Sequence, residues 1–339
     1  MQERGKMINT ALARAITLAE KGPQFGPNPR VGCVIYSEKE ILAEGFHRGS
    51  GSAHAEVAAI QDAHQRGKCV RGATALVTLE PCNHTGKTGP CSHALLAAGI
   101  SRVIYAQADP NPVAAGGAAY LQSHGIEVAT ALAAGADQGL VARAQAITAA
   151  WRTVQKRGRA WVIAKVAQTL DGKVAASDGT SKWITGPQAR EHGHQIRATV
   201  DAICVGTGTY LTDSPQLSAR PANVKDPHQP KKFVIGNTDL SLPAQFTQVR
   251  THDLRTFFED MFKQGNTRIL LEGGPTLVSA ALKEGLVDEL HVYTAPKLLG
   301  EGKASFADLG ITTVADAIDA KATITQLGPD WLVCLALTE

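Results

Sequence analysis

The chain lacks a strong charge of either sign. Its 34 Lys and Arg against 31 Asp and Glu leave a formal charge of +3, too little for the electrostatic footprint of a dedicated nucleic-acid binder. Aromatic residues make up only 5%, so platforms for stacking single-stranded bases are few. Cysteine is scarce: six, at 33, 69, 82, 91, 204 and 334, spread irregularly over 339 residues. That pattern argues against a disulfide framework and for reduced thiols in the cytoplasm. No apolar run approaches the roughly 18 residues of a membrane span. Near the N-terminus, Ile8, Leu12, Ala15, Ile16 and Ala19 recur at helical spacing within Ile8–Lys21, which reads as an amphipathic helix and not as a signal-peptide core. A dinucleotide fingerprint is also missing, because Gly206-Thr207-Gly208 has no third glycine at the required place.

What is present is an ordinary folded composition, 44% hydrophobic and 19% charged with 33 Gly and 16 Pro, in a chain long enough for two domains. The first half alternates strands and helices: strands at 31–36 and 41–46 across a polar turn, a helix at 54–66, a strand at 73–79, a helix at 91–98 and a strand at 102–106. This is the pattern of an α/β layered domain. An Ala- and Gly-rich stretch and a helix at 140–151 lead to the basic tract Lys156-Arg157-Gly158-Arg159. The alternation restarts with a strand at 160–167, which sets the domains at 1–146 and 150–339.

The sharpest chemical signal is His54-Ala55-Glu56, followed by Pro81-Cys82 and then by Cys91, nine residues beyond Cys82. One histidine and two cysteines make three ligands suited to Zn²⁺, and three protein ligands leave the fourth tetrahedral position for water, as in a catalytic site. Glu56, two residues from the proposed ligand His54, suits the general acid/base that moves protons between water, ring nitrogen and leaving amine. The pattern resembles the zinc nucleobase-deaminase signature. It departs in spacing, since eight residues, Asn83 to Pro90, separate cysteines that the short form sets two apart. A closed structural zinc site would need a fourth ligand, for which His84 and His93 are the nearby candidates, but such a site has no use for Glu56.

Pro27-Asn28-Pro29-Arg30-Val31-Gly32-Cys33-Val34-Ile35, Gly45-Phe46-His47, His54-Ala55-Glu56 and the run from Thr78 through Cys91, with its His84-Thr85-Gly86-Lys87, resemble the bifunctional riboflavin-biosynthesis deaminase/reductase family. The resemblance runs on through Asp109-Pro110-Asn111-Pro112 and covers nearly the whole chain. It implies a cytidine-deaminase-like zinc domain followed by a dihydrofolate-reductase-like α/β domain. It also implies deamination of 2,5-diamino-6-(5-phosphoribosylamino)pyrimidin-4-one and then NADPH-dependent reduction of the ribosyl chain to ribityl. Deaminase substrate contacts fall by this resemblance on Asn28, His47, His84 and Lys87. Asn28 offers both donor and acceptor, and Lys87 suits a phosphate as a point charge. Asn83 and Gly89 stand where the family usually has Ser and Pro.

In the second half, Lys165 to Lys173, Ser181 to Pro187 and Glu272-Gly273-Gly274-Pro275-Thr276 say little alone. They read as strands, a turn at Asp171-Gly172, a helix capped by Thr185 with Pro187 in its first turn, and a glycine pair before a helix. Such a pair either brings backbone N–H groups near a phosphate or makes a tight turn. The order of these segments with Val205 to Thr209, Asp213 to Leu217, Arg220 and Ala295 to Gly300 resembles the reductase half of the same family. That resemblance puts cofactor contacts on Ala167, Trp183, Thr209, Asp213, Gly274, Pro275 and Thr276, with the segment running on to Ala280. It puts substrate contacts on Lys165, Ser181, Arg197, Leu217, Arg220 and Glu272. Arg197 and Arg220 suit a 5′-phosphate through the guanidinium fork. Thr169 and Ser214 replace the family's usual Ser and Asp. The expected cofactors are one Zn²⁺ and NADPH. The expected partners are the small phosphorylated pyrimidine and, by family analogy, further copies of the chain, with no nucleic acid or membrane. The competing readings are a tRNA-type nucleic-acid deaminase, which calls for a basic groove and a short inter-cysteine loop, and a non-catalytic zinc-stabilised binding protein.

Overall fold

The computed structural model describes residues 2–38, 40–85, 89–112 and 114–337. Contacts divide the chain into two units, Met1–Arg157 and Gly158–Glu339. The first unit runs α1 (Gln2–Ala19), β1 (Gly32–Tyr36), β2 (Ile41–Phe46), α2 (Ala55–Gln65), β3 (Thr74–Val77), α3 (Cys91–Ala97), β4 (Arg102–Tyr105), α4 (Gly117–Ser123), β5 (Glu127–Thr130), α5 (Gln138–Ile147) and α6 (Ala149–Arg157). Its sheet has the order β2-β1-β3-β4-β5. Strand β1 is antiparallel to both neighbours, and β3, β4 and β5 are parallel.

The interior strand β1 reads as an unbroken apolar run because both of its faces are covered. Cys33 and Ile35 join a core with Ala55, Ala59 and Ala63 of α2 and Leu95 of α3. Val34 and Tyr36 join a second core with Ile8, Leu12 and Ile16 of α1 and Val141 of α5. Two glycines let helices approach the sheet closely. A Cβ at Gly32 would lie 2.0 Å from the Ala15 carbonyl, and one at Gly45 would lie 2.3 Å from both Ala55 O and Ala59 N. Gly45 therefore sets how near the N-terminus of α2 comes to β2, and α2 begins at the His54 cap.

The second unit contains β6 (Trp161–Thr169), β7 (Lys173–Ala175), α7 (Pro187–Arg197), β8 (Ala202–Gly206), α8 (Thr207–Asp213), β9 (Lys231–Ile235), β10 (Phe246–Val249), α9 (Leu254–Lys263), β11 (Arg268–Leu271), α10 (Pro275–Lys283), β12 (Glu289–Ala295), β13 (Lys303–Ala304), β14 (Lys321–Leu327) and β15 (Asp330–Ala336). Eight strands form one sheet in the order β10-β9-β8-β11-β6-β12-β15-β14. It is parallel from β10 to β12 and antiparallel over the last two pairings. One face is covered by α9 and α10 through Phe257, Phe258, Met261, Val278 and Ala281. The other carries Ile163, Ile203 and Leu270, with Ile196 of α7 packed against them. Arg159 of the basic tract is not a surface cation. It donates from both terminal nitrogens to Asp288, at 2.8 and 3.0 Å, with both side chains buried.

Two local expectations are corrected. The helix expected at 140–151 is two helices parted at Thr148, a wholly buried residue with φ −105° and ψ 5° whose hydroxyl accepts from the Gln107 side chain. The cap of α7 is Gly186 rather than Thr185. The Gly186 N–H donates to Asp330 at 2.6 Å, which ties the chain entering α7 to a residue distant in sequence. Among the described residues, no helix is long and apolar enough to cross a membrane.

Gly45→Ala should force α2 away from β2. Overpacking of this kind costs about 1–3 kcal/mol, so thermal unfolding should occur at lower temperature and zinc content by mass spectrometry should fall. Gly89→Ala, with nothing within 4 Å of the added methyl, should change neither.

Candidate functional site

In the first unit, the chain ends of three elements converge. His54 caps α2, Cys82 lies beyond the end of β3, and Cys91 opens α3. His54 Nδ1 lies 3.5 Å from Cys82 Sγ and 3.3 Å from Cys91 Sγ, and the three ligand atoms all fall within 4.8 Å of one another. Zinc bonds of about 2.0–2.1 Å to nitrogen and 2.3 Å to sulfur would set tetrahedral ligand atoms roughly 3.6 Å apart, so the donor set fits Zn²⁺ in both chemistry and spacing. Among the described residues no other group of His, Cys, Asp or Glu offers a metal site, and neither His84 nor His93 joins this one. Hydrogen bonds from Cys91 and His54 hold the Cys82 thiol down at about 4, while bonding to Cys82 and burial push the Cys91 thiol up. A dication would stabilise both sulfurs as thiolates.

Glu56, in the first turn of α2, is only 4% exposed. Burial, and then the neighbouring Cys82, push its carboxyl up to about 7. His47 packs edge-on to the His54 ring, with centroids 5.2 Å apart. Its Nδ1–H donates to the Ala53 carbonyl at 3.1 Å, and its Nε2 accepts from Asn28 Nδ2 at 2.9 Å. That orientation leaves the Asn28 carbonyl oxygen outside the pair. His84 is half-buried, and its Nδ1 has no hydrogen-bond partner among the described residues. Lys87 lies outside the described residues. Asn83, one of the departures from the family pattern, is held by Ser92, whose hydroxyl donates to its Oδ1 at 2.7 Å.

One residue that sequence reasoning passed over is Glu80. Its buried carboxylate accepts from the backbone N–H groups of Asp109, Gly116 and Ala118 at 3.3, 3.3 and 3.1 Å. It thereby ties the loop before α4 to the segment carrying Cys82. The packing there is tight, since a Cβ at Gly117 would lie 1.8 Å from the Pro81 carbonyl. The only signal in the sequence is an acidic residue next to Pro81-Cys82, which by itself looks like a solvated charge.

The second unit holds a cleft of about 1560 Å³. Lys165, Ala167, Ser181, Trp183, Arg197, Thr209, Asp213, Leu217, Arg220, Glu272, Gly274 and Pro275 all line it, and Thr276 sits exposed on the first turn of α10 just outside. At its centre Arg197 grips Glu272 with two hydrogen bonds of 2.7 Å, from Nε and Nη2, while Lys165 Nζ stands 3.9 Å away. Burial pushes the Glu272 carboxyl up, but Arg197 and Lys165 outweigh it and hold the group at about 2. Arg197 thus spends its fork on a carboxylate of the chain, whereas Arg220 stays exposed, bonded to Gln216 at 2.6 Å and to the Ser218 hydroxyl. Ser214 and Leu217 have φ of 43° and 51°, a left-handed backbone that non-glycine residues adopt at a cost and chiefly where function requires it.

Tyr293 was also missed. It is buried beside Lys165, whose Nζ lies 5.6 Å from the ring centroid, and its hydroxyl pairs with His192 Nδ1 at 2.7 Å. In the sequence it is one of several apolar residues of β12. It reaches the cleft because Tyr293 pairs in register with Ala167 of β6.

The sequence region described as "Cytidine and deoxycytidylate deaminase zinc-binding region" matches residues 6–107, and that described as "RibD C-terminal domain" matches 160–333. The riboflavin biosynthesis protein RibD of Corynebacterium ammoniagenes is 44% identical over 287 residues, covering 81% of this chain and 82% of its own. Acinetobacter baumannii RibD, form 1, superposes with a TM-score of 0.88 at 34% identity over 98% of this chain and 99% of that one. A Thermotoga maritima protein, named a diaminohydroxyphosphoribosylaminopyrimidine deaminase/5-amino-6-(5-phosphoribosylamino)uracil reductase, superposes at 0.86 and 30% identity over 98% and 99%. With a three-ligand zinc cluster in one unit and a RibD C-terminal fold in the other, the chain belongs to the RibD family of bifunctional riboflavin-biosynthesis deaminase/reductases.

Proposed function

We propose that the chain removes the 2-amino group of 2,5-diamino-6-(5-phosphoribosylamino)pyrimidin-4(3H)-one by hydrolysis, then reduces the ribosyl chain of the resulting 5-amino-6-(5-phosphoribosylamino)uracil to ribityl with NADPH. The observation that carries this reading is a buried acid, Glu56, beside a three-ligand cluster, in the same chain as a cleft lined by the reductase contacts.

His54, Cys82 and Cys91 would hold a zinc ion, which would supply a water acidic enough to attack carbon at neutral pH. Glu56 takes one proton from the attacking water and gives it to the ring nitrogen, then takes the second from the added hydroxyl and gives it to the amino group, which departs as ammonia as the C–N bond breaks and the carbonyl forms. Asn28, oriented by His47, offers its carbonyl oxygen to a pyrimidine N–H. By the family resemblance His84 meets the polar edge or ribose, and Lys87 suits the phosphate.

NADPH supplies the hydride for the second step. Gly274 and Thr276, at the start of α10, offer backbone N–H groups to its phosphates, while Ala167, Trp183, Thr209 and Asp213 bound the rest of its site. Arg220, with Ser181 and Leu217 nearby, takes the substrate phosphate, while Arg197 and Lys165 hold Glu272 ionised toward the sugar hydroxyls. We place the enzyme in the cytoplasm, consistent with six free cysteines, and as a homo-oligomer. The edge strand β14 is exposed from Lys321 to Gln326, with Ile324 at 71%, and a second copy would cover it.

Purified protein given the diaminopyrimidine ribotide and NADPH should release ammonia and oxidise NADPH; ammonia alone would limit the chain to the first step. Glu56→Gln should slow ammonia release by roughly 10²–10⁴-fold with zinc content unchanged, and undiminished release would remove Glu56 from the mechanism. Titration with NADPH should saturate a single site per chain. Glu272 is depressed from 4.5 to about 2, so its ion pairs add stability that is complete above the unfolded value and lost as pH falls toward the folded one. The stability difference between wild type and Glu272→Gln, followed by chemical unfolding, should therefore shrink as pH falls from about 4.5 to about 2.

A further inference from the structure

The deaminase contacts described above lie between Asn28 and Cys91, within the zinc-binding region matched at 6–107. The turn joining α5 to α6 lies outside that region, yet it bonds to both sides of the site. Trp151, in the first turn of α6, donates its indole N–H to the Pro27 carbonyl at 2.9 Å, and its ring packs against the core shared by β1 and α2. Pro27 immediately precedes Asn28, and residues 27–29 belong to neither helix nor strand. A loop without ladder hydrogen bonds holds its geometry through such outside contacts. On the other side, Arg152 donates to Gln107 Oε1 at 3.0 Å and Thr148 accepts from the Gln107 amide. The Gln107 carbonyl in turn accepts from Glu80 N at 2.9 Å, two residues before Cys82.

We infer that Trp151 is a positioning residue for deamination: its N–H anchors the Pro27–Asn28–Pro29 loop so that Asn28 meets the pyrimidine in a fixed orientation. The inference rests on the proposed role of Asn28 as a substrate contact. Two prolines stiffen the loop but do not anchor it to the body of the unit. His47 holds the Asn28 side chain and Arg30 ties the far end of the loop to the Gly22 and Glu20 carbonyls, while Trp151 holds the Pro27 carbonyl through one hydrogen bond, so its effect belongs to substrate binding and not to the metal or to proton transfer.

The test is a double-mutant cycle on the full chain, measuring ammonia release from the diaminopyrimidine ribotide. Trp151→Phe keeps an aromatic ring and removes the donor. It should raise KM roughly three- to tenfold, the worth of one net hydrogen bond, with kcat, zinc content and NADPH-dependent reduction unchanged. In an Asn28→Ala background the same change should add nothing. An equal rise in KM in both backgrounds would show that Trp151 does not act through Asn28 and would overturn the proposal. So would loss of zinc, a fall in kcat, or loss of cooperative unfolding, since each makes Trp151 a core residue. If Asn28→Ala alone leaves KM unchanged, it is the reading of Asn28 that fails, whatever Trp151→Phe does.

Discussion

Within the first unit, much follows from holding one imidazole nitrogen between two sulfurs, 3.3 and 3.5 Å away. The three ligands come from the start of α2, the loop after β3 and the start of α3. No local preference brings them together. Gly45 lets α2 press against β2, Glu80 gathers three backbone N–H groups beside Cys82, and Ser92 ties α3 to Asn83. Each is a small contact, and each removes freedom from a ligand-bearing segment. A metal site is selective only when its ligands and their supports are held by groups around them, and here those supports are backbone donors, a buried carboxylate, the Ser92 hydroxyl and the absence of a methyl group at Gly45.

The second unit solves a different electrostatic problem. Glu272 is buried at the end of β11, where an isolated carboxylate would take up a proton. Arg197 and Lys165 keep it ionised. The cleft therefore contains a fixed negative centre with its own counter-charges, surrounded by a larger open space. The modest net charge of +3 is consistent with this arrangement, because the working cations are local and partly paired rather than spread over the surface.

The sequence made the α/β alternation legible where apolar runs were long and bounded by turns, as in β1, β2 and β6. It was silent about the last forty or so residues, where β14 is an exposed edge strand whose side chains alternate weakly between apolar and polar. The break at Thr148 was hidden because helix periodicity continues across it, and what ends α5 is a hydrogen bond from Gln107, 41 residues away. Likewise Asp330 holds the N–H of Gly186 at the entry to α7, a contact that no local pattern records.

For the site itself, residue chemistry was readable and residue pairing was not. His54, Glu56, Cys82 and Cys91 announced themselves because their chemistry and spacing are rarely combined by chance, and the family resemblance extended the set into the reductase half. Glu80, Tyr293 and Trp151 carried no such signal, since a carboxylate beside a proline or an aromatic on a strand or helix is ordinary in any sequence. The sequence alone determined which atoms could bind a metal, move a proton or pair with a phosphate. Only the tertiary structure decided that Arg197 spends its fork on Glu272, that His47 orients Asn28, and that an indole from α6 reaches Pro27, because hydrogen bonds between segments far apart in the chain exist only once the fold brings them within about 3 Å.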